Sequence, residues 1–342
     1  MFTGLTILVV SAILGAIVPL PLRISRRFHT EHVLVAGYGV ATLAVPLLFA
    51  MLFIESWTQA LQQVGVGHLL TVAAMGLGWG IGALCFGHGI AAVGISLGLA
   101  IVMGINTVAG ALVPMARQWL AIPLSAKVWI FVGITVCLAG VSLCSRAGCL
   151  REKDKEAGQP TAMRSARGFV IGIVLCVVSG VMSACAGIGF DYGQPIMVAA
   201  AELGADERLA TFVVWLPIWW GGGVAMVLWS LFEIARQKTF DRFTGVGAGR
   251  DLLLCIILIG LCMPAVHVSF GIGAYYLGDT MGRAVGWAIS IALSLVAGIA
   301  VGFIAGEWRG ATARSKGFLY AGIAVLIGAT VCLAFASSLG TG

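Results

Sequence analysis

Aromatic and polar side chains in the middle of long apolar stretches are the residues of this sequence whose chemistry suits a ligand. Trp215 and Trp219 are four residues apart, and so are His267, Gly271 and Tyr275 in turn, so each set shares one face of a helix. Aromatic rings stack on the C–H faces of a sugar, whose hydroxyl groups need hydrogen-bonding partners. These faces predict a carbohydrate-binding cavity.

Two more candidates lie near the middle of other apolar stretches, Trp79 and Asn106. Polar groups at this depth are costly when they face lipid, so they are candidates for a cavity. Each has an ordinary alternative. Tryptophan is common at the headgroup level, although this explains Trp79 and Trp219 less well than the tryptophans near span ends. Asn106 can bond a neighbouring backbone carbonyl, and His267 can hydrogen bond from one helix to another.

Asp191 is the acidic residue closest to the hydrophobic part of any apolar stretch, and it lies in Gly189-Phe190-Asp191-Tyr192-Gly193-Gln194-Pro195. Gly and Pro break helices, which would expose backbone groups next to Gln194 and add this amide to a substrate site. A carboxylate shielded from water binds a proton more readily, and the ordinary titration range of a histidine such as His267 also fits proton handling. Asp191 and His267 are therefore the candidates for proton coupling, and an ordinary loop is the alternative at Asp191.

The elements that must position these groups are membrane helices. The chain is 60% hydrophobic and 10% charged, against about 25% charged in soluble domains. A helix needs about 20 apolar residues to cross a hydrocarbon core. The sequence has ten such stretches, at 3–22, 33–53, 69–88, 91–114, 127–145, 168–190, 209–232, 251–277, 282–304 and 317–338. They predict an all-α membrane protein with ten transmembrane helices.

The basic residues predict the orientation of these helices. Sixteen of the 20 Lys and Arg residues fall in one set of alternate gaps, and the other set holds only Arg117, Lys127, Arg208 and Arg283. Short loops rich in Lys and Arg stay in the cytoplasm, so both termini are predicted to be periplasmic. The net charge of +6 follows from this rule and from contact with anionic lipid. It does not indicate nucleic-acid binding.

The gap at 146–167 divides the ten stretches into five and five. Because five is odd, homologous halves would have opposite orientations, which is the inverted repeat of many secondary transporters. Gly94 and Gly98 would then correspond to Gly282 and Gly286, although 48 glycines can produce such matches by themselves. The predicted organisation is a five-helix repeat over 1–145, a basic cytoplasmic linker over 146–167 and a second five-helix repeat over 168–342.

Glycines four residues apart, such as Gly76 and Gly80, predict close helix packing in lipid.

The nine cysteines form no C-x-x-C pair, which argues against a zinc site or a disulfide framework. His29, Glu31 and His32 are interpreted as a solvated interface, not a metal site. With no phosphate-binding Gly-Lys motif and no cluster of catalytic groups at one interface, the sequence predicts neither an enzyme nor a bound cofactor.

Short motifs in order along nearly the whole chain resemble the L-rhamnose–proton symporter family of the drug/metabolite transporter superfamily. They are Trp79-Gly80-Ile81-Gly82, Gly87, Gly94-Ile95-Ser96-Leu97-Gly98, Ser145-Arg146-Ala147-Gly148, Pro195, Ala199-Ala200-Ala201-Glu202-Leu203-Gly204, Gly221-Gly222-Gly223 and Glu307-Trp308. The resemblance implies ten helices in an inverted five-plus-five repeat and proton-coupled uptake of a 6-deoxyhexose across a bacterial inner membrane. Trp287 and Trp79 match aromatic positions of the family.

The chain also departs from the family. Two amides and a tyrosine after the position of Trp79 are replaced by Ala83, Cys85 and Phe86, and an acidic residue is replaced around Arg283. The predicted function is proton-coupled import of a monosaccharide, L-rhamnose or a similar 6-deoxyhexose, by alternating access. Export of a small metabolite or drug-like molecule is the alternative. The predicted substrate-binding residues are Trp79, Asn106, Gln194, Trp215, Trp219, His267, Tyr275 and Trp287.

Overall fold

A computed structural model of the protein describes residues 2–156 and 166–340. Within these residues, ten helical stretches are long and apolar enough to cross a membrane, which confirms the predicted class. We number them as spans 1 to 10 in chain order. They are Phe2–Ile24, Thr30–Phe53, Val66–Val93, Leu97–Arg117, Leu124–Glu152, Arg167–Glu202, Glu207–Gln237, Ala248–Tyr276, Thr280–Ile304 and Ala313–Gly340.

Several spans are not uniform α-helices. The interruptions are short, and the chain stays helical on both sides of each. Span 2 contains the π-helical segments Leu34–Tyr38 and Val40–Ala44, and span 8 contains the π-helical segment Ile256–Leu261 between the α-helices Ala248–Cys255 and Cys262–Tyr276. Two other spans each consist of two α-helices. They are Ala166–Tyr192 and Gln194–Glu202 in span 6, and Glu207–Val213 and Trp215–Gln237 in span 7. A short helix, Trp57–Gln63, follows span 2, and a 3₁₀ turn, Phe240–Phe243, follows span 7.

Two boundaries differ from the sequence prediction. The fourth span, predicted from residue 91, starts only after Gly94, in the helix Ile95–Arg117. The fifth helix, Leu124–Glu156, continues into the charged segment predicted as a linker at 146–167. The charges there do not end the helix because Lys, Arg and Glu are good helix formers. Residues 157–165 of that linker lie outside the described residues.

Gly94 and Gly278 have the same unusual backbone conformation at the start of the fourth and ninth spans. Their φ and ψ angles are 97° and 152° at Gly94 and 94° and 143° at Gly278. This region is accessible almost only to glycine. Gly94 and Gly278 thus have similar conformations at similar places, and Gly278 lies one helical turn before the Gly282 that the sequence matches to Gly94. The inverted repeat itself stays a prediction.

The described residues belong to two compact units. Among the described residues, unit 1 comprises residues 82–156, 166–184 and 277–340, and unit 2 comprises residues 2–81 and 185–276. Each unit therefore takes spans from both halves of the sequence. The division into repeats at 1–145 and 168–342 concerns homology and stays a prediction.

Unit 1 is built around the pair of spans 5 and 10. Cys137, Val141, Leu326 and Ala329 are buried together in its core. The two helices approach closely at Gly140, where an added Cβ would lie 2.8 Å from Cγ of Leu326. Small residues thus allow backbone contact, which is how helices pack in lipid.

Unit 2 is held together at the end of its spans that carries the basic loops. The backbone N–H groups of Arg26, Arg27 and Phe28 donate to one carboxylate oxygen of Asp251, at 2.9, 2.7 and 3.1 Å. Asp251 is fully buried, so these three bonds offset the cost of removing its charge from water. They tie the loop between spans 1 and 2 to the start of span 8.

His32 is also part of this end of unit 2. Its imidazole is fully buried, and its Nε2 lies 2.9 Å from the Thr239 carbonyl oxygen, to which it donates. The interpretation of the segment from His29 to His32 as a solvated interface is therefore wrong for His32. His29 precedes the helix Thr30–Val33 in an extended conformation and keeps half of its side chain exposed, whereas His32 lies within that helix and is buried.

Candidate functional site

Three of the predicted tryptophans surround His267 inside unit 2. The centroid of the His267 imidazole lies 4.3 Å from that of the Trp215 ring, 5.2 Å from Trp219 and 6.5 Å from Trp79. Trp215 and Trp219 are completely buried, and Trp79 is partly buried. We call Trp79, Trp215, Trp219 and His267 the tryptophan–histidine cluster.

Glycines bring the members of this cluster together. A Cβ on Gly76 would overlap the carbonyl oxygen of Ile218, and a Cβ on Gly222 would overlap the ring of Trp79. The absence of these side chains lets span 3 approach the backbone of span 7. The Trp79 ring thereby packs against Gly222 of span 7, the span on which Trp215 and Trp219 share one face.

Phenylalanines enclose the cluster on further sides. Phe190 stacks on Trp215 with centroids 5.3 Å apart, Phe212 contacts Trp219 at 5.3 Å, and Phe270 lies 5.0 Å from Phe190. Sequence reasoning missed these three residues. For two of them the sequence holds a signal in the spacing. Phe212 lies three residues before Trp215 and Phe270 three residues after His267, so each shares a helix face with a member of the cluster. The result is an apolar environment in which any polar contact is strengthened.

Some polar atoms of the cluster have a hydrogen-bond partner and others have none. Nδ1 of His267 lies 2.8 Å from the Met263 carbonyl oxygen, and a carbonyl only accepts, so Nδ1 carries the hydrogen. In the neutral ring, Nε2 then has a lone pair. Within the described part of the chain, the buried indole nitrogens of Trp215 and Trp219 have no hydrogen-bond partner. An unsatisfied buried donor costs about 1–3 kcal/mol, so both N–H groups are available to an acceptor.

Asn106 and Trp287 form a separate pair in unit 1. The indole Nε1 of Trp287 donates to Oδ1 of Asn106 at 3.0 Å. Gly110, one turn after Asn106, makes room for the ring, because a Cβ there would overlap Cδ1 of Trp287. The two residues singled out in the sequence are thus partners of each other, on spans 4 and 9.

Asp191 and Gln194 lie at the interruption of span 6. The helix is interrupted only at Gly193, between Ala166–Tyr192 and Gln194–Glu202, and the Gly193 N–H still donates to the Gly189 carbonyl oxygen at 2.8 Å. Asp191 is buried, with 3% of its surface exposed. Its neighbour Phe190 joins the aromatic shell, but no hydrogen bond or ring contact among the described residues joins Gln194 to the tryptophan–histidine cluster.

Tyr275 lies apart from the cluster, at the end of span 8. Its hydroxyl donates to the Glu207 carboxylate at 2.7 Å. Beside it, Arg208 makes two bonds to Asp206, from Nε to Oδ1 at 3.0 Å and from Nη2 to Oδ2 at 2.7 Å. The hydrogen bonds from the Arg208 side chain and backbone lower the pKa of Asp206 to about 2. These two acidic residues were missed in the sequence.

Two of the positions where the chain departs from the resembled family, Phe86 and Arg283, lie in unit 1. Phe86 packs against the buried residues Val93, Val102 and Cys176, so it contributes to a core. Arg283 lies half-buried in the first turns of the helix Asp279–Ile304.

Comparison with known proteins gives one consistent result. The sequence profile of the family described as L-rhamnose-proton symport protein (RhaT) matches residues 1–337. An L-rhamnose-proton symporter of Cronobacter sakazakii is 24% identical over 315 residues, which are 90% of this chain and 89% of that protein. L-rhamnose-proton symporters of Escherichia coli and of an Enterobacter species are each 23% identical over 315 residues, 90% of both chains.

Proposed function

The chain belongs to the L-rhamnose-proton symport protein family, and from this membership we propose that it imports a monosaccharide together with protons. The substrate is L-rhamnose or a similar 6-deoxyhexose, and transport follows alternating access. The protein is a multi-pass protein of the bacterial cytoplasmic membrane. The basic loops face the cytoplasm and both termini face the periplasm, because Lys and Arg accumulate in cytoplasmic loops.

The observation that carries the proposal is the pair of unpartnered indole N–H groups of Trp215 and Trp219 beside His267. A buried donor without a partner is costly, and a sugar hydroxyl or ring oxygen is an acceptor that removes this cost. The ring faces suit the other side of a deoxyhexose, which presents C–H groups and a methyl group. The cluster thus offers both kinds of contact that such a sugar needs.

The same cluster supplies a group for the proton. In neutral His267 the Nε2 lone pair accepts a proton, while Nδ1 keeps its bond to the Met263 carbonyl. The positive charge gained lies within about 6 Å of the indole rings of Trp215 and Trp219, a distance at which aromatic rings interact with cations. Buried Asp191 is the second candidate, and one of the two carries the coupled proton in this proposal.

The remaining predicted residues have separate roles in this proposal. The bonded pair of Asn106 and Trp287 gives unit 1 a polar and aromatic group of its own. Gln194, at the Gly193 break, and Tyr275, at the rim of unit 2, are further contacts to sugar. None of them needs to be adjacent to His267 to contribute along a transport path.

Export of a small metabolite or drug-like molecule is the second candidate function. It is favoured by one observation, the replacement of hydrogen-bonding groups by Ala83, Cys85 and Phe86, of which Phe86 packs in an apolar core. The direction of net transport under a proton gradient separates the two functions.

The test is uptake of labelled L-rhamnose by proteoliposomes that contain the purified protein. With an inward proton gradient, we expect accumulation above the external concentration and competition by unlabelled L-rhamnose. Liposomes without protein and vesicles whose gradient is collapsed by a proton ionophore are the controls. Equilibration without accumulation contradicts coupling, and absence of any rhamnose flux contradicts the substrate.

A further inference from the structure

A cleft of about 340 Å³ opens at the end of spans 7 and 8 in unit 2. Its walls are Asp206, Glu207, Arg208, Tyr275 and Tyr276. A second cleft of about 330 Å³ adjoins it, sharing Asp206, Arg208 and Tyr276 and extending to Thr3 and Ile7 of span 1. Ligand sites for small molecules begin at about 300 Å³. The combined cleft lies on the side of the N-terminus, which is periplasmic in the proposed orientation.

A row of contacts between spans 7 and 8 connects this cleft to the tryptophan–histidine cluster. Glu207, Thr211 and Trp215 follow one another at four-residue intervals on span 7, so they share a face. They meet Tyr275, Gly271 and His267 of span 8 in antiparallel order. The contacts are the Tyr275–Glu207 hydrogen bond, the approach of Gly271 to the Thr211 hydroxyl and the ring contact of His267 with Trp215.

The middle contact separates the two ends of this row. A Cβ on Gly271 would overlap Oγ1 of Thr211, so the two spans touch there with no room for a ligand. From His267 to Tyr275 the helix rises about 12 Å at 1.5 Å per residue. The cleft and the tryptophan–histidine cluster are therefore two separate places along the same pair of spans, and Tyr275 belongs to the cleft.

The chemistry of the cleft suits a neutral sugar. Two tyrosine rings provide apolar faces for C–H groups, and the Glu207 carboxylate accepts hydrogen bonds from hydroxyls on the oxygen that Tyr275 leaves unused. Arg208 is paired with Asp206, so the two carboxylates and one guanidinium leave a net negative charge. This charge disfavours an anionic ligand, and the carboxylate acceptor beside two tyrosine rings matches the hydroxyls and C–H faces of a polyhydroxyl compound.

We propose that this cleft is a second carbohydrate-binding site, at which a neutral monosaccharide binds before it reaches the tryptophan–histidine cluster. The inference rests on the proposed function, because it assigns the same substrate to a second place. Glu207 and Tyr275 hold the sugar hydroxyls, and the Tyr276 ring covers a C–H face. Passage inward requires the contact between Gly271 and Thr211 to open.

The test is equilibrium binding of labelled L-rhamnose to the full chain in detergent, with uptake by proteoliposomes as a second measurement. We expect two bound sugars per chain in the wild type and one in the double variant Glu207→Gln, Tyr275→Phe. The same variant should raise KM for uptake from the cleft side about tenfold, the effect of losing one charge-assisted hydrogen bond, while the maximal rate is retained. Both substitutions keep side-chain size and lie at an exposed rim.

The control is Asp241→Asn, which removes an exposed carboxylate, 76% exposed, at the other end of the spans. It should change neither stoichiometry nor KM. If the wild type binds one sugar that Glu207→Gln, Tyr275→Phe retains, the cleft proposal is overturned and the proposed function stands. A third outcome is that the double variant binds one sugar fewer than the wild type, but the wild type does not transport that sugar. This result supports the cleft and contradicts the proposed function. Absence of any monosaccharide binding overturns both.

Discussion

The imidazole of His267 lies 4.3 Å from the Trp215 indole, centroid to centroid, with their planes inclined at 65°. The two rings come from spans 8 and 7 of the same unit. Because Nδ1 of His267 is engaged by its own helix at Met263, any change in protonation occurs at Nε2. The contact therefore places a titratable nitrogen in the aromatic environment that is proposed to hold the sugar.

Replacing His267 with Gln removes this titratable nitrogen but keeps a polar side chain of similar length. We expect accumulation of L-rhamnose under an inward proton gradient to fall to the level measured without a gradient. Exchange of internal for external L-rhamnose should continue, since exchange needs no net proton movement. Both are measured in proteoliposomes of the same protein content.

Asp191→Asn is the matched variant, because it removes the second candidate for the proton without change of size. Retention of gradient-driven accumulation in Asp191→Asn and its loss in His267→Gln would assign the proton to His267. The reverse result would assign it to Asp191 and contradict the role of His267.

Trp215→Phe and Trp219→Phe keep an aromatic ring but remove the indole N–H. We expect each to raise the Kd for L-rhamnose about fivefold, because a neutral hydrogen bond contributes about 1 kcal/mol. Binding is measured by titration calorimetry on the purified protein. Trp229→Phe on the same helix is the control, since its side chain is 42% exposed; an equal effect there would refute a specific role for the buried pair.

Gly76→Ala tests the close approach of spans 3 and 7. The added methyl group meets the Ile218 carbonyl oxygen, and overpacking of this kind costs about 1–3 kcal/mol. We expect a lower midpoint of thermal unfolding in detergent. Gly67→Ala in the same span meets nothing within 4 Å and should be neutral or stabilising by up to about 1 kcal/mol. Equal midpoints in the two variants would argue against backbone contact at Gly76.

Gly94→Ala and Gly278→Ala test the two turns that precede the fourth and ninth spans. Their φ angles of 97° and 94° strain any residue with a Cβ, at a cost of about 1–3 kcal/mol. We expect both variants to unfold at lower temperature than the wild type. Gly298→Ala, within span 9 and with open space around it, should not. A variant at Gly94 or Gly278 as stable as Gly298→Ala would contradict the strain.

The helices were predictable because crossing a bilayer imposes both a length and an apolar composition on each of them. The shared faces of Trp215 with Trp219, and of His267 with Tyr275, follow from helix periodicity alone. That Trp79 joins them does not, because this contact depends on where span 3 meets span 7. Gly76 and Gly80 indicated close packing in the sequence, but not against which helix.

Local backbone geometry accounts for other differences. The turn at Gly94 places the start of span 4 several residues after the apolar pattern begins, since apolar residues continue through the turn. The bond between Tyr275 and Glu207 escaped prediction for another reason. Acidic residues at the end of a span are common at the membrane surface, and nothing local in the sequence distinguishes one that faces a tyrosine of a later span.

The three hydrogen bonds from Arg26, Arg27 and Phe28 to Asp251 also constrain how the protein is made. Their acceptor is synthesised only after spans 2 to 7. Part of that intervening chain, residues 82–156 and 166–184, belongs to unit 1. During translation the turn after span 1 has three amides without this partner while the ribosome adds the following spans. Unit 2 therefore completes its assembly in the bilayer only when span 8 has left the insertion machinery.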